Sequence, residues 1–290
     1  MTLALALALA VGLGLLIGLS LGALGGGGSI LTVPALVYAL GESAQSATTG
    51  SLVIVGITAA AATLGHARAG HVRWRAGLGF GVAGIAASFA GTALNARVDP
   101  NLLLLCFAGL MLIAAVAMLT RTLVHTHPED GQHDAAADAE AASLRRGPLT
   151  TLNRPAVSAK PVGQRVSLAV ALRVTLAGLV VGFLTGFLGV GGGFIIVPAL
   201  VLLLAYEMPT AVGTSLLIIS LNSAVALAAR SGNSAQFHWA VIAPFTVAAV
   251  LASAGGKRIA HQVSSTQLTR AFAGLLLLVA AYVLIRALTG

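Results

Sequence analysis

Residues 1–41 contain no Asp, Glu, Lys or Arg, and neither do 43–67, 76–96, 100–120, 174–206, 208–229, 231–256 or 271–285. Eight such runs, four on each side of a charged middle, cannot form the skin of a water-soluble domain. A bilayer-crossing helix needs about 20 mostly apolar residues. Most of the runs are long enough to cross once, the last when extended back to about residue 267. Composition agrees. Charged residues are 8% of the chain, where soluble proteins carry roughly a quarter, and 12 of the 24 lie between 121 and 173. The expected fold is an all-α integral membrane protein. A disordered chain, a disulfide scaffold and a nucleic-acid binder are excluded. The net charge of +8 comes from loop arginines, which suit an anionic cytoplasmic leaflet.

Two runs are too long for one span, and each contains a glycine break. Residues 3–24 are followed by Gly25-Gly26-Gly27-Gly28-Ser29 and a short apolar piece, 30–40. Residues 167–188 are followed by Gly189-Val190-Gly191-Gly192-Gly193 and then 194–205. As helices the short pieces would reach only about 16–18 Å. They read as half-membrane helices or re-entrant arms, giving 8–10 membrane segments in all.

The N-terminal stretch reads as the first span rather than a signal peptide. It lacks a positive n-region, its apolar run is too long, and a matching copy occurs later in the chain. No retention or lipidation signal appears, which points to a multi-pass protein of a cell inner (plasma) membrane. Cys106, the single cysteine, reads as a small hydrophobe. Residues 122–166 form a solvated cytoplasmic linker between a first transmembrane repeat, 1–121, and a second, 167–290. His125, His127 and His133 lie near acids in that linker, but their spacing matches no ordered metal site. No metal or other cofactor is expected.

Shifted by 164 residues, the chain overlays on itself. Gly18, Gly22, Leu24, Gly25, Gly27 and Gly28 fall on Gly182, Gly186, Leu188, Gly189, Gly191 and Gly192. Val33-Pro34-Ala35-Leu36-Val37 falls on Val197-Pro198-Ala199-Leu200-Val201, and Ser51 falls on Ser215. A shift of 165 then pairs Trp74 with Trp239 and Arg121 with Arg286. Chance in apolar sequence does not readily reproduce glycine, proline and serine in register. The chain therefore reads as two homologous repeats of about four spans each. Loop charge is asymmetric, with Arg68, Arg73 and Arg75 before and after one turn but only Arg230 at the matching place. That asymmetry favours inverted halves, in which each short arm counts as part of a crossing; eight plain spans would make the halves parallel.

Glycine-interrupted helices at matching positions of two repeats point to a transporter's substrate site. A helix that starts inside the membrane has unpaired N–H groups that need a partner there. An anion suits them, helped by the helix dipole. Proline near the start of such a helix costs little, since its missing N–H is orphaned anyway. Gly18, Gly22, Gly182 and Gly186 read as close helix packing. Gly27, Gly28, Gly191 and Gly192, with the adjoining Ser29 and Gly193, read as substrate-lining, with close packing as the competing view. Thr48, Thr49, Ser51, Thr214 and Ser215 offer hydroxyls to an oxyanion, or bond to their own helix turn. Asn222, two turns beyond Ser215, lines the path or bonds another helix. Glu42 and Glu207 are matched acids at the ends of the arms. They are candidates for proton coupling or gating; the plainer reading places them in exposed turns where they cap the next helix. His66, Arg68, His71, Arg73 and Arg75 attract an anion or simply mark the cytoplasmic side.

Gly-Phe-Leu-Gly-Val-Gly-Gly-Gly-Phe (186–194), Val197-Pro198-Ala199-Leu200 and Ala211-Val212-Gly213-Thr214-Ser215-Leu216 resemble the second half of the sulfite exporter TauE/SafE family of membrane permeases. The first half carries the matching Leu-Gly-Gly-Gly-Gly-Ser (24–29), Val33-Pro34-Ala35-Leu36 and Ala47-Thr48-Thr49-Gly50-Ser51-Leu52. It departs from the pattern at Gly50, which stands where the second half has Thr214. Either Thr48 or Thr49 takes over that hydroxyl, or the halves contribute unequally. The resemblance implies export, or sometimes uptake, of a small anionic substrate such as sulfite, sulfoacetate or a related organosulfur acid.

The leading expectation is a secondary transporter of small anions working by alternating access. No P-loop motif is present to supply ATP. A small-anion channel and a non-transporting assembly factor are the alternatives. An intramembrane hydrolase built on Ser51 or Ser215 lacks a buried base beside either serine, so no enzyme is expected.

Overall fold

A computed structural model describes residues 3–95, 97–124, 168–188, 193–230 and 238–289. The three linker histidines, together with Gly191 and Gly192, lie outside the described residues. The described residues form helices only. In chain order these are α1 (Leu3–Leu24), α2 (Gly27–Pro34), a π-helical turn (Ala35–Ala39), α3 (Ala44–Arg68), α4 (Trp74–Asn95) and α5 (Pro100–Val124), then α6 (Leu168–Leu188), α7 (Gly193–Leu202), α8 (Met208–Arg230), α9 (Trp239–Gln262) and α10 (Ser265–Thr289). Seven are long and apolar enough to cross a membrane. The chain is thus the all-α, multi-pass membrane protein its uncharged runs require. Exposed Leu16, Val82, Phe89, Ile113, Leu251 and Leu278 are the expected outer surface of such a protein, since lipid imposes no cost on them.

Small residues act as a ruler for how the helices run. On α1, β-carbons added at Gly14, Gly18 and Gly22 would strike the backbone of Phe245, Ala249 and Ser253 on α9. Both numbers rise together, so α1 and α9 are parallel. On α6, Gly178, Gly182 and Gly186 meet Phe80, Gly84 and Ser88 of α4 in the same sense. Gly50 and Gly65 of α3 face Ile242 and Lys257 of α9, and Gly77 and Gly81 of α4 face Leu217 and Leu221 of α8. Those pairs are parallel as well. Across α3 and α8 the order reverses: Gly56 meets Ser223, whereas Gly213 meets His66. Hence α1, α3 and α9 run one way and α4, α6 and α8 the other. The first helices of the two halves, α1 and α6, point in opposite directions. Such close backbone approach is the contribution of small residues to packing in lipid, where no hydrophobic force draws helices together.

Charge follows direction. The end at which α3 and α9 finish and α4 and α8 begin, here end A, carries Arg68, Arg73, Arg75, Lys257 and Arg258. Arg121 at the close of α5 and Arg173 near the start of α6 join them there. The opposite end, end B, has Arg97 and Asp99 in the α4–α5 turn, Glu42 before α3, His238 before α9, Arg230 at the close of α8 and Arg286 in the last turn of α10.

Helix α5 continues through Val124, and the Arg121 guanidinium donates to the carbonyl of Val201 on α7. One sequence expectation changes. Pro34 and Pro198 do not sit in the first turn of their half-helices. Pro34 closes α2 as its eighth residue, where its ring removes the bond to the carbonyl of Ile30. The backbone responds by widening into the π turn.

Candidate functional site

The two half-helices begin against one another inside the protein. Helix α1 ends at Leu24, and Gly25 turns the chain with φ of +70°. That left-handed conformation is open to glycine without strain. A side chain at Gly25 would also meet Ser215 Oγ at 2.6 Å. Gly26, the N-cap of α2, has no side chain capping the helix, and its absent β-carbon points into the backbone of Gly193. Gly193 is the first residue of α7, and its own missing β-carbon is directed at Ser29. From this junction α2 leads toward end B and α7 toward end A. Both helices start at the junction, and in the first turn of α2 the Ser29 amide donates to Gly26 O at 3.3 Å. The positive ends of both dipoles therefore converge on it.

Two hydroxyls, Ser29 and Ser215, stand at the junction, and each bonds within its own segment. Ser29 Oγ donates to Gly26 O at 2.7 Å. Ser215, fully buried, donates to Val212 O at 2.8 Å, and Ser51 donates to Thr48 O at 2.8 Å. Each oxygen keeps lone pairs, and each proton can turn to another acceptor. Thr214 Oγ1 accepts from the Arg73 amide at 3.2 Å, so this residue anchors the α3–α4 turn on α8. Thr49 is buried on α3 and Thr48 half-buried. Gly27 and Gly28 have a packing reason for their identity: β-carbons there would meet Leu275 at 2.8 Å and Ile17 O at 2.7 Å. Their Cα hydrogens face neighbours while their amides face the junction.

Asn222 lies seven residues beyond Ser215, nearly two helical turns, and so on the same stripe of α8. Between them Ile219 reaches Gly193. The Oδ1 atom of Asn222 is buried without a hydrogen-bond partner. Thr58 was not singled out in the sequence. It is 1% exposed, its Oγ1 is also unpartnered, and it stands seven residues beyond Ser51 on α3. The 164-residue shift places it on Asn222, which was the available signal.

His66 was read as attracting an anion or marking the cytoplasmic side. It is buried at the end of α3, with Nε2 3.1 Å from the carbonyl of Gly22. Beside it the Lys257 ammonium donates to Gly65 O at 2.7 Å. Both contacts bind α3 to the α1–α9 pair at end A. The two matched acids differ. Glu207 is exposed as expected. Glu42 is buried and does not cap α3; Ser43 does, accepting from the Ser46 amide at 3.2 Å. Glu42 Oε1 instead meets His238 Nδ1 at 2.8 Å.

A bundle of membrane-crossing helices with two interrupted segments starting back to back in its interior has the build of a membrane transporter. The sulfite exporter TauE/SafE family model matches residues 10–283. Proteins from two strains of Xylella fastidiosa, each called a probable membrane transporter protein, are 30% identical over 93% of this chain and 92% of their own length. A probable membrane transporter protein of Bacillus subtilis is 24% identical over 69% of each chain. No solved structure matches. The chain belongs to the sulfite exporter TauE/SafE family and is a membrane transporter.

Proposed function

We propose that the protein is a secondary exporter of small oxyanions, sulfite or a related organosulfur acid, acting in the inner (plasma) membrane by alternating access between its two halves. One observation carries this reading: the starts of α2 and α7 meet at Gly26 and Gly193, with Ser29 and Ser215 at the same place. A sulfonate or sulfite group needs several donors and no cation at all if helix dipoles supply the positive potential. Gly27, Gly28, Gly191, Gly192 and Gly193 offer amides. Ser29, Thr48, Thr49, Ser51, Thr214, Ser215 and Asn222 offer hydroxyls or an amide group. The opposed directions of α1 and α6 support a mechanism in which equivalent halves exchange roles. The positive-inside rule puts end A in the cytoplasm, so the 122–166 linker is cytoplasmic. A hydrolase finds no support, because among the described residues the hydroxyls of Ser51 and Ser215 bond to helix carbonyls and to no base.

The test is a proteoliposome uptake screen with sulfite, sulfoacetate, thiosulfate and short carboxylates, with and without a proton gradient. Accelerated tracer exchange on adding unlabelled substrate to the opposite side is expected of an alternating site; a channel gives none. Ser215→Ala should lower flux with membrane insertion intact. Undiminished flux in that variant would remove the junction from the pathway.

A further inference from the structure

Each half-helix ends in a loop that approaches the opposite half just before an exposed tryptophan. At end B the approach is a direct contact. His238, next to Trp239, places Nδ1 2.8 Å from Glu42 Oε1. The carboxylate side chain is 6% exposed and the imidazole 65%, so one partner is sealed in protein while the other meets solvent. Glu42 Oε2 is buried with no hydrogen-bond partner. At end A the corresponding residue is Arg73, next to Trp74. It lies close enough to the loop of Tyr206 and Glu207 for its charge to act on the Tyr206 phenol, and its amide is held by Thr214.

The two ties differ in what a proton does to them. A guanidinium keeps its charge at every physiological pH, so Arg73 at end A has no proton to lose. Imidazole changes charge between about pH 5 and 8, and its exposed ring can exchange protons with the solution at end B. A buried carboxylate with half of its acceptor capacity unused is costly, and the His238 ring at 2.8 Å is its side-chain partner. Among the described residues nothing else ionisable bonds to Glu42. From α9 it meets His238, the α3 start presents Ser43 and Ser46, and Tyr38 on the π turn is turned out to 72% exposure.

We propose that Glu42 and His238 form a proton-binding latch that fastens the tip of the first half-helix to α9 and closes the pathway at end B. The latch is strongest with His238 protonated and Glu42 ionised, and it loosens as pH on that side rises and the imidazole loses its charge. The coupling ligand it takes is a proton, received at the extracytoplasmic face, with no counterpart at end A. What the latch gates rests on the transport reading above; the latch itself does not.

The test therefore reads conformation rather than flux. In a Cys106→Ser background, spin labels at Tyr38→Cys and Ala243→Cys, both exposed positions, report the distance from the arm tip to α9 in liposomes between pH 5.5 and 8.5. A short-distance population should dominate at pH 5.5. The closed-to-open ratio should fall about two- to fivefold by pH 8.5, the weight of a half-exposed ion pair. Glu42→Gln should lower that population at pH 5.5 and abolish the pH response, whereas His238→Lys should hold it at every pH. A distance distribution that does not change with pH in the parent overturns the latch, even should a variant fail to fold. So does an unaltered pH response in Glu42→Gln. Sulfite flux measured alongside separates the two claims: pH-dependent distances without sulfite flux support the latch and remove sulfite as the substrate, while sulfite flux with pH-indifferent distances does the reverse.

Discussion

The carbonyl of Gly193 occupies the space into which a β-carbon on Gly26 would project. No rotamer change can relieve such a collision, because both parties are backbone. The meeting of the half-helices therefore depends on Gly26 having no side chain. Gly26→Ala should cost about 1–3 kcal/mol, as overpacking of a tight interior does, and should lower flux with it. Gly109→Ala, on α5 where nothing lies within 4 Å, is the matched control and should leave both unchanged. Thermal melting of the detergent-solubilised protein, read beside proteoliposome flux, checks the pair.

Helix contact by small residues predicts a second contrast, within α1 alone. Gly18 faces the Ala249 backbone, while Gly12 is exposed with open space around it. Gly18→Leu should prevent α1 from seating on α9 and leave little monodisperse protein. Gly12→Leu should behave as the parent does, since a leucine facing lipid is at home there. Size-exclusion profiles of the two variants decide the matter.

These contrasts show where the sequence was legible. Spans followed from absent charge because lipid tolerates so little of it, and the arms followed from glycines that recur after 164 residues. The junction was half legible: the breaks were visible, but their contact needs α1 to point against α6, and loop charge alone only leaned toward that. The burial of Glu42 was not legible because its partner lies 196 residues away, and no local pattern announces a carboxylate buried by a distant histidine. Arg121 was taken as the border of a span, yet it stays helical, since its long side chain reaches the carbonyl at the end of α7. A charge can remain in a membrane helix when it ends on such an acceptor. Thr58 was passed over because a lone threonine in an apolar helix carries no signal until it is laid over Asn222.

Tyr206, in the loop before α8, titrates above its ordinary range near pH 10 because burial disfavours the phenolate, with the Arg73 charge pulling partly the other way. The sign for stability follows. A folded-state value above the unfolded one stabilises fully below pH 10, and that contribution is lost as pH rises through the folded value. Tyr206→Phe should flatten the alkaline loss of stability. Arg73→Gln should move the phenol further upward, since the opposing charge is gone. Melting from neutral to alkaline pH, parent against Tyr206→Phe, measures the first effect, and ultraviolet difference titration of phenolate formation, parent against Arg73→Gln, measures the second.

Thr58 and Asn222 supply the sharpest separation of structure from function. Each buries an oxygen without a partner, so neither atom repays its desolvation within the fold. Replacing such a group by an apolar isostere leaves no abandoned partner behind and should be neutral, or stabilising by about 1 kcal/mol. Thr58→Val and Asn222→Leu are therefore expected to melt at the parent temperature or slightly above it. If these groups serve the substrate instead, each loses one hydrogen bond made during transport, and flux should fall about tenfold. Lower melting with unchanged flux would assign both to packing. Equal melting with reduced flux places the two, one from each half, along the route the anion takes beyond Ser51 and Ser215.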